Sequence, residues 1–159
     1  MSASVHFSSK SQEWETPQDL FDQFNSKFNF EVDVCATVEN AKCSSFFSID
    51  DDGLSKSWAP QICWCNPPYG RSIKHWIEKS QKEAELGATV VCLIPARPDT
   101  SYWHDFIFPF AEIHFIRGRL KFGHAKHGAP FPSAVVVFRP GGIDPLTRWD
   151  KVRRSMGVS

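Results

Sequence analysis

Asn66-Pro67-Pro68-Tyr69 closes the apolar run Gln61-Ile62-Cys63-Trp64-Cys65, setting an amide, two residues without a backbone N–H and a phenol in a row. Those types in that order suit the activation of an aromatic amine toward reaction at nitrogen. The lone pair of such an amine is delocalised into its ring, so it must be drawn toward a tetrahedral geometry before it can attack. The Asn66 side-chain carbonyl and the backbone carbonyl of Pro67, which proline keeps out of sheet pairing, can each accept one hydrogen of an NH2 group. Together they favour the charge that develops on that nitrogen in the transition state. Tyr69 offers a flat face on which a base can stack. An amide is no proton acceptor at neutral pH, so the proton must leave afterwards to water.

Other residues could serve the same cleft. Phe30-Glu31-Val32-Asp33-Val34-Cys35 alternates apolar with acidic side chains and predicts a strand that delivers Asp33 near its carboxyl end. Asp50-Asp51-Asp52-Gly53 is a turn by composition. Arg117, Arg119, Lys121, His124, Lys126 and His127 fall in a stretch without an acid, which suits a phosphate-tracking loop. Arg71 and Lys74 follow the proline motif closely, and Arg97 ends the strand after it, so these are further phosphate candidates. His75, His104 and His114 lack paired ligand spacing and read as structural. The cysteines Cys35, Cys43, Cys63, Cys65 and Cys92 are odd in number, and Cys63-x-Cys65 is no zinc knuckle, so reduced thiols and no metal are expected.

The elements that position these groups follow from periodicity. Thr16 is the expected N-cap and Pro17 the first residue of a helix with Leu20, Phe21, Phe24 and Phe28 on one face, ending near Asn29. Phe46 to Ile49 predicts a second short strand and Gln61 to Cys65 a third, which Pro67 and Pro68 stop. A helix from Ser72 to about Leu86 turns Ile73, Trp76, Ile77 and Ala84 inward and Lys74, Glu78, Lys79, Lys82 and Glu83 outward, with Gly87 closing it. Ala88 to Ile94 is a buried strand, Thr100 to about Phe108 a helix, and Glu112 to Ile116 and Ser133 to Phe138 are strands. A helix is also expected around Leu146 to Arg154. Alternating strands and helices predict an α/β, trimmed doubly wound (Rossmann-like) sheet with helices on both faces.

Length and composition set the limits. The chain suits a single domain, expected over 13–139, with a loose lead-in over 1–12 and a tail over 140–159. At 42% hydrophobic and 23% charged it is neither disordered nor fibrous in composition. Neither an uninterrupted membrane-spanning run of about 18 apolar residues nor a signal-peptide core occurs, so a cytoplasmic location is expected. The net charge of zero conceals a split. Residues 1–60 carry 4 basic and 10 acidic side chains, residues 61–159 carry 14 basic and 8 acidic. An acidic pocket for a cationic ligand beside a basic face for a polyanion would give that division.

Asn66-Pro67-Pro68-Tyr69 resembles the catalytic motif of S-adenosylmethionine-dependent amino-methyltransferases. The wider pattern is Trp14-Glu15-Thr16-Pro17, Asp33-Val34-Cys35-Ala36-Thr37, Glu39-Asn40-Ala41-Lys42-Cys43, Trp64 to Arg71, Pro95-Ala96-Arg97 and Arg117-Gly118-Arg119-Leu120-Lys121-Phe122. It is similar to the small phage-encoded Dam-type DNA N6-adenine methyltransferases over roughly residues 13 to 139. The resemblance implies methyl transfer from S-adenosylmethionine, leaving S-adenosylhomocysteine, to a flipped-out adenine of double-stranded DNA. It implies that Asn66, Pro67, Pro68 and Tyr69 act on the base. Trp14, Thr16 and Pro17 would then lie near the donor's carboxylate, Asp33 and Cys35 near its cationic side, and one of Asp50, Asp51 and Asp52 near its ribose or adenine, with Asn66 beside it. Cys35-Ala36-Thr37-Val38 holds no glycine where many methyltransferases have a Gly-rich turn. A short palindromic site such as GATC, read by loop 117–132 or by a homodimer, protects phage DNA from restriction in that picture. RNA adenine and protein glutamine are the alternative acceptors, and a degenerate nucleic-acid-binding module is the non-enzymatic alternative.

Overall fold

The computed structural model describes residues 14–143, and the helix expected around Leu146 to Arg154 lies outside them. Helix α1 (Gln18–Phe28) leads into strand β1 (Val32–Asp33). A 3-10 turn (Gly53–Ser55) precedes β2 (Ile62–Cys65), helix α2 (Ile73–Glu85) and β3 (Thr89–Pro95). A π-helical segment (Trp103–Ile107) runs into the short α3 (Phe108–Phe110), and strands β4 (Glu112–Phe115) and β5 (Ser133–Phe138) follow.

The five strands form one sheet in the order β1-β2-β3-β5-β4. β1, β2 and β3 are parallel, with Asp33 opposite Trp64 and Cys65 opposite Cys92. β5 is antiparallel to both neighbours, so β4 runs in the direction of the first three. The expected sheet with helices on both faces is present. On one face, Cys63, Cys65, Val90, Cys92, Ile94, Val136 and Phe138 pack against Trp76 and Ile77 of α2 and against Trp103 and Ile107. On the other, Trp64, Val91, Leu93, Val135 and Val137 meet Leu20 and Phe21 of α1 and Phe122 and Phe131 of the loop after β4. β5 is buried along its whole length, and β3 along all but its first residue, so their near-continuous apolar sequence reflects cover on both faces.

Several local expectations are corrected. β1 is shorter than Phe30 to Cys35, because the Asp33 carboxylate accepts from its own following loop, at Cys35 N–H (3.3 Å) and Lys42 N–H (3.0 Å), and bends the chain off the sheet. The strand expected at Phe46 to Ile49 shrinks to one parallel bridge between Asp33 and Phe46. Asp51 captures Ser48 through its N–H (2.8 Å) and hydroxyl (3.1 Å) and turns the chain there. Glu83 points inward, not outward. It is 5% exposed and accepts from Trp58 N–H (2.7 Å) and Ala59 N–H (2.9 Å), with Lys79 Nζ 3.1 Å from its other oxygen. Thr16 does not cap α1, which begins at Gln18 after Pro17 with no side-chain cap. The C-terminal end agrees with expectation, Asn29 closing α1 in the left-handed conformation at φ 55°.

Candidate active site

Three adjacent parallel strands, β1, β2 and β3, end side by side, and their carboxyl ends bring the candidate residues together. β1 ends at Asp33, β2 runs into Asn66 and β3 supplies the Leu93 carbonyl. This edge of an open α/β sheet is where such folds bind ligands. Pro67 and Pro68 stop β2 and are buried, while Asn66 and Tyr69 stay partly exposed.

The Asn66 carboxamide is held at both ends. Its Nδ2 donates to the Trp14 carbonyl oxygen (2.7 Å) and to Thr16 Oγ1 (3.0 Å). Its Oδ1 accepts from the Tyr69 hydroxyl (2.7 Å). That hydroxyl has a second acceptor in the Leu93 carbonyl at 3.1 Å, and one hydrogen to share between them. Burial pushes the Tyr69 phenol well up from its ordinary range, so it remains a donor at neutral pH. The Tyr69 ring lies against Trp14 (6.2 Å, 22°) and meets the edges of Phe122 (6.1 Å) and Phe131 (5.7 Å).

Two cavities flank this motif and share Cys35. The smaller is polar, lined by Glu15, Thr16, Asp33, Cys35, Asn40 and Asn66. The larger, about 150 Å³, is mostly apolar, with Phe47, Leu54 and Trp76 among its walls and Asp52 and Ser48 at its polar side. Burial raises Asp33 to about 7, against the opposing pull of the Lys42 and Cys35 N–H groups. The nearby cation is already engaged, since Lys42 Nζ lies 2.9 Å from Gln18 Oε1 and 3.6 Å from Glu15 Oε2. The polar cavity therefore suits a small cationic group and the apolar one a flat ring with hydroxyls. Burial, aided by the Asp33 charge, pushes the Cys35 thiol far up, which leaves it a neutral wall and not a nucleophile.

Of the residues expected at the site from sequence, Trp14, Thr16, Asp33, Cys35, Asn66 and Tyr69 are brought together. Asp50 and Asp51 do not line either cavity; Asp52 lines the larger. Sequence does not single out the cavity-lining residues Asn40, Phe47, Leu54 and Trp76: the three apolar ones have the same sequence signature as core, and Asn40 lies in a loop with no periodicity to place it. Phe122 and Phe131 are buried in the core and also wall in Tyr69.

The basic segment reaches this site through its backbone. Gly123 N–H donates to the Glu15 carbonyl (2.9 Å), Ala129 N–H to the Leu120 carbonyl (2.8 Å), and Arg119 Nη1 to the Ala129 carbonyl (3.3 Å). Arg117, Arg119, Lys121, His124 and Lys126 are exposed on it, as are Arg71 and Lys74 after the motif. Arg97 is exposed above the Phe131 ring, 5.8 Å from its centroid. Among the described residues no group of three or more His, Cys, Asp or Glu side chains is placed to hold a metal, and no helix is long and apolar enough to cross a membrane.

Comparison with known proteins gives a family match and relatives. The family model described as DNA N-6-adenine-methyltransferase (Dam) matches residues 4–140. A DNA N-6-adenine-methyltransferase of Haemophilus phage HP1 (strain HP1c1) is 27% identical over 135 residues, covering 80% of this chain and 78% of that protein. A DNA N-6-adenine-methyltransferase of Escherichia phage T1 is 27% identical over 109 residues, covering 67% of this chain and 45% of its own.

Proposed function

The chain belongs to the DNA N-6-adenine-methyltransferase (Dam) family and is a DNA adenine methyltransferase, and we propose that Asn66 is the residue at which the adenine amine is received. The observation that carries this assignment is the placement of Asn66, its Oδ1 turned away from the Trp14 carbonyl, at the joint carboxyl edge of three parallel strands.

S-adenosylmethionine, the donor that the family uses, supplies a methyl group made electrophilic by its sulfonium. The polar cavity supports a place for its cationic end beside Asp33, with Thr16, Glu15 and Asn40 around it, and the apolar cavity a place for its nucleoside, with Asp52 toward the ribose. The target adenine enters from the exposed side, which it can do only out of the helical stack, and stacks on the Tyr69 ring away from the face that Trp14 covers. The Tyr69 hydroxyl passes its hydrogen bond to the Leu93 carbonyl, and Asn66 Oδ1 then accepts an N6–H. The Pro67 carbonyl accepts the second hydrogen. The two acceptors draw density onto N6 as it attacks, and the proton leaves to water because neither acceptor is basic. Arg71, Lys74, Arg97 and the 117–127 segment hold the phosphates on either side of the extruded nucleotide. This takes place in the cytoplasm of a bacterial host, on a short palindromic site.

Labelled S-adenosylmethionine with unmethylated duplex DNA, followed by digestion to nucleosides, tests the reading. N6-methyladenine is the expected product, and the sequence around it gives the site. Label appearing in RNA or protein acceptors and not in duplex DNA would overturn it.

A further inference from the structure

We propose that Thr16 is a positioning residue for methyl transfer: with the Trp14 carbonyl it fixes the rotation of the Asn66 carboxamide, and by doing so it makes asparagine, not aspartate, the residue this site requires. The inference rests on the assignment of Asn66 as the acceptor of the adenine amine. A carboxamide can be turned either way about its last bond, and only one way presents an oxygen to the substrate. The Trp14 carbonyl can accept but never donate. At 2.7 Å from the Asn66 side chain it therefore demands the nitrogen. Thr16 Oγ1, 3.0 Å from the same nitrogen, takes its second hydrogen. Oδ1 is left facing Tyr69, whose hydroxyl donates to it at 2.7 Å.

Thr16 is free for this because its hydroxyl caps no helix. It is 5% exposed, so water is poorly placed to replace the hydroxyl if it is removed. An aspartate at position 66 would set a carboxylate oxygen against the Trp14 carbonyl, where the amide nitrogen now sits at 2.7 Å. Two acceptors at that distance repel unless a proton lies between them. The side chain would have to rotate away or hold a proton, and either change spoils the acceptor that faces the amine.

The test uses Thr16→Val, which keeps the shape and removes the hydroxyl, Thr16→Ser, which keeps the hydroxyl, and Asn66→Asp. The side-chain 15N amide resonance of Asn66, identified by its loss in Asn66→Ala, is observed in the full chain without donor or DNA. Thr16→Val is expected to shift that resonance and speed its hydrogen exchange about fivefold or more, and Thr16→Ser to leave it near the wild-type position. Single-turnover transfer at saturating donor should fall about tenfold in Thr16→Val, recover in Thr16→Ser, and fall about a hundredfold or more in Asn66→Asp. An Asn66 amide resonance unmoved by Thr16→Val would overturn the proposal. So would a Thr16→Val enzyme with weakened donor binding and an unchanged single-turnover rate, which would make Thr16 a donor contact instead. A wild-type chain that methylates no adenine would refute the functional reading, while the resonance still decides the Thr16–Asn66 contact.

Discussion

Asp33 is a carboxylate that the fold buries beside its candidate active residue, at 2% exposure and with a pKa of about 7. In the unfolded chain it ionises near 3.8, so between about pH 4 and 7 the native state keeps a proton that the unfolded state has released. Stability from this group accordingly falls as pH rises through that window and is level above it. A bound cation reverses the preference by favouring the carboxylate. The charged or titratable groups around it are Lys42, Glu15, Cys35, Cys43 and Cys65, and Lys42 is turned toward Glu15 and Gln18. Affinity for S-adenosylmethionine measured by calorimetry should therefore tighten from about pH 5.5 to about 7.5 in the wild type. In Asp33→Asn it should be weaker at the upper pH by about tenfold or more, with that pH dependence gone. Equal affinities and slopes in the two proteins would remove Asp33 from the donor site. Asp33 was legible in the sequence as an acidic residue at a strand end. Its burial was not, since alternation alone makes an acidic strand residue look solvated, and the cover comes from the following loop folding back so that the Lys42 N–H meets the carboxylate.

At the scale of elements, α2 and the turn before β2 show where local pattern and tertiary contact diverge. Glu83 sits on the charged side of α2 by periodicity, yet the fold turns it in to bind two backbone N–H groups of the 58–59 loop. Its pKa, which burial alone would raise, is held below the usual carboxylate range by the Ala59 and Trp58 N–H groups and Lys79. Glu83→Ala should cost about 2–4 kcal/mol in urea denaturation, because two buried donors lose their acceptor, while Glu83→Gln, which can keep one oxygen on both, should cost about 1 kcal/mol or less. Similar losses in both variants would show that the charge and not the acceptor matters. Gly53 is a second case. Composition marked Asp50 to Gly53 as a turn, but the left-handed residue is Asp52, at φ 56°, and not the glycine. Gly53 is required by close approach, since a Cβ there would lie 2.3 Å from the Val34 carbonyl oxygen and 3.2 Å from Trp76. Gly53→Ala should lower the melting temperature and disturb the apolar cavity that Gly53 lines, visible as weakened donor binding. A melting temperature equal to wild type would contradict that contact. The strands, both long helical segments and the proline stops were legible because each is written within its own stretch of chain. The truncation of β1 and of the Phe46 strand was not, because both follow from side-chain to backbone bonds made by Asp33 and Asp51.

For the whole molecule, the division between an acidic first part and a basic remainder becomes spatial. The acidic part lines the two cavities with Glu15, Asp33 and Asp52, and the basic part supplies exposed cations just after the proline motif, on the loop after β4 and, at Arg97, over the Phe131 ring. If Lys121 and Lys126 hold phosphates, Lys121→Gln with Lys126→Gln should weaken DNA binding across all sequences and flatten the plot of log affinity against log salt by about 1 for each phosphate no longer neutralised. An unchanged slope would place the DNA elsewhere. The sequence carried the fold class, the Asn66 to Tyr69 tetrapeptide that ends β2, and the charge division. It could not show that the loop after β4 is stitched to Glu15, since that join depends on a backbone bond between segments far apart in the chain. The claim on which the rest depends is that the adenine amine is received at Asn66. Single-turnover methyl transfer by wild type and by Asn66→Ala, with donor affinity measured on the same preparations, tests it most directly. A loss of about a thousandfold or more in the variant with donor affinity kept within about threefold is the expected result. Transfer by Asn66→Ala at a rate near wild type would contradict it.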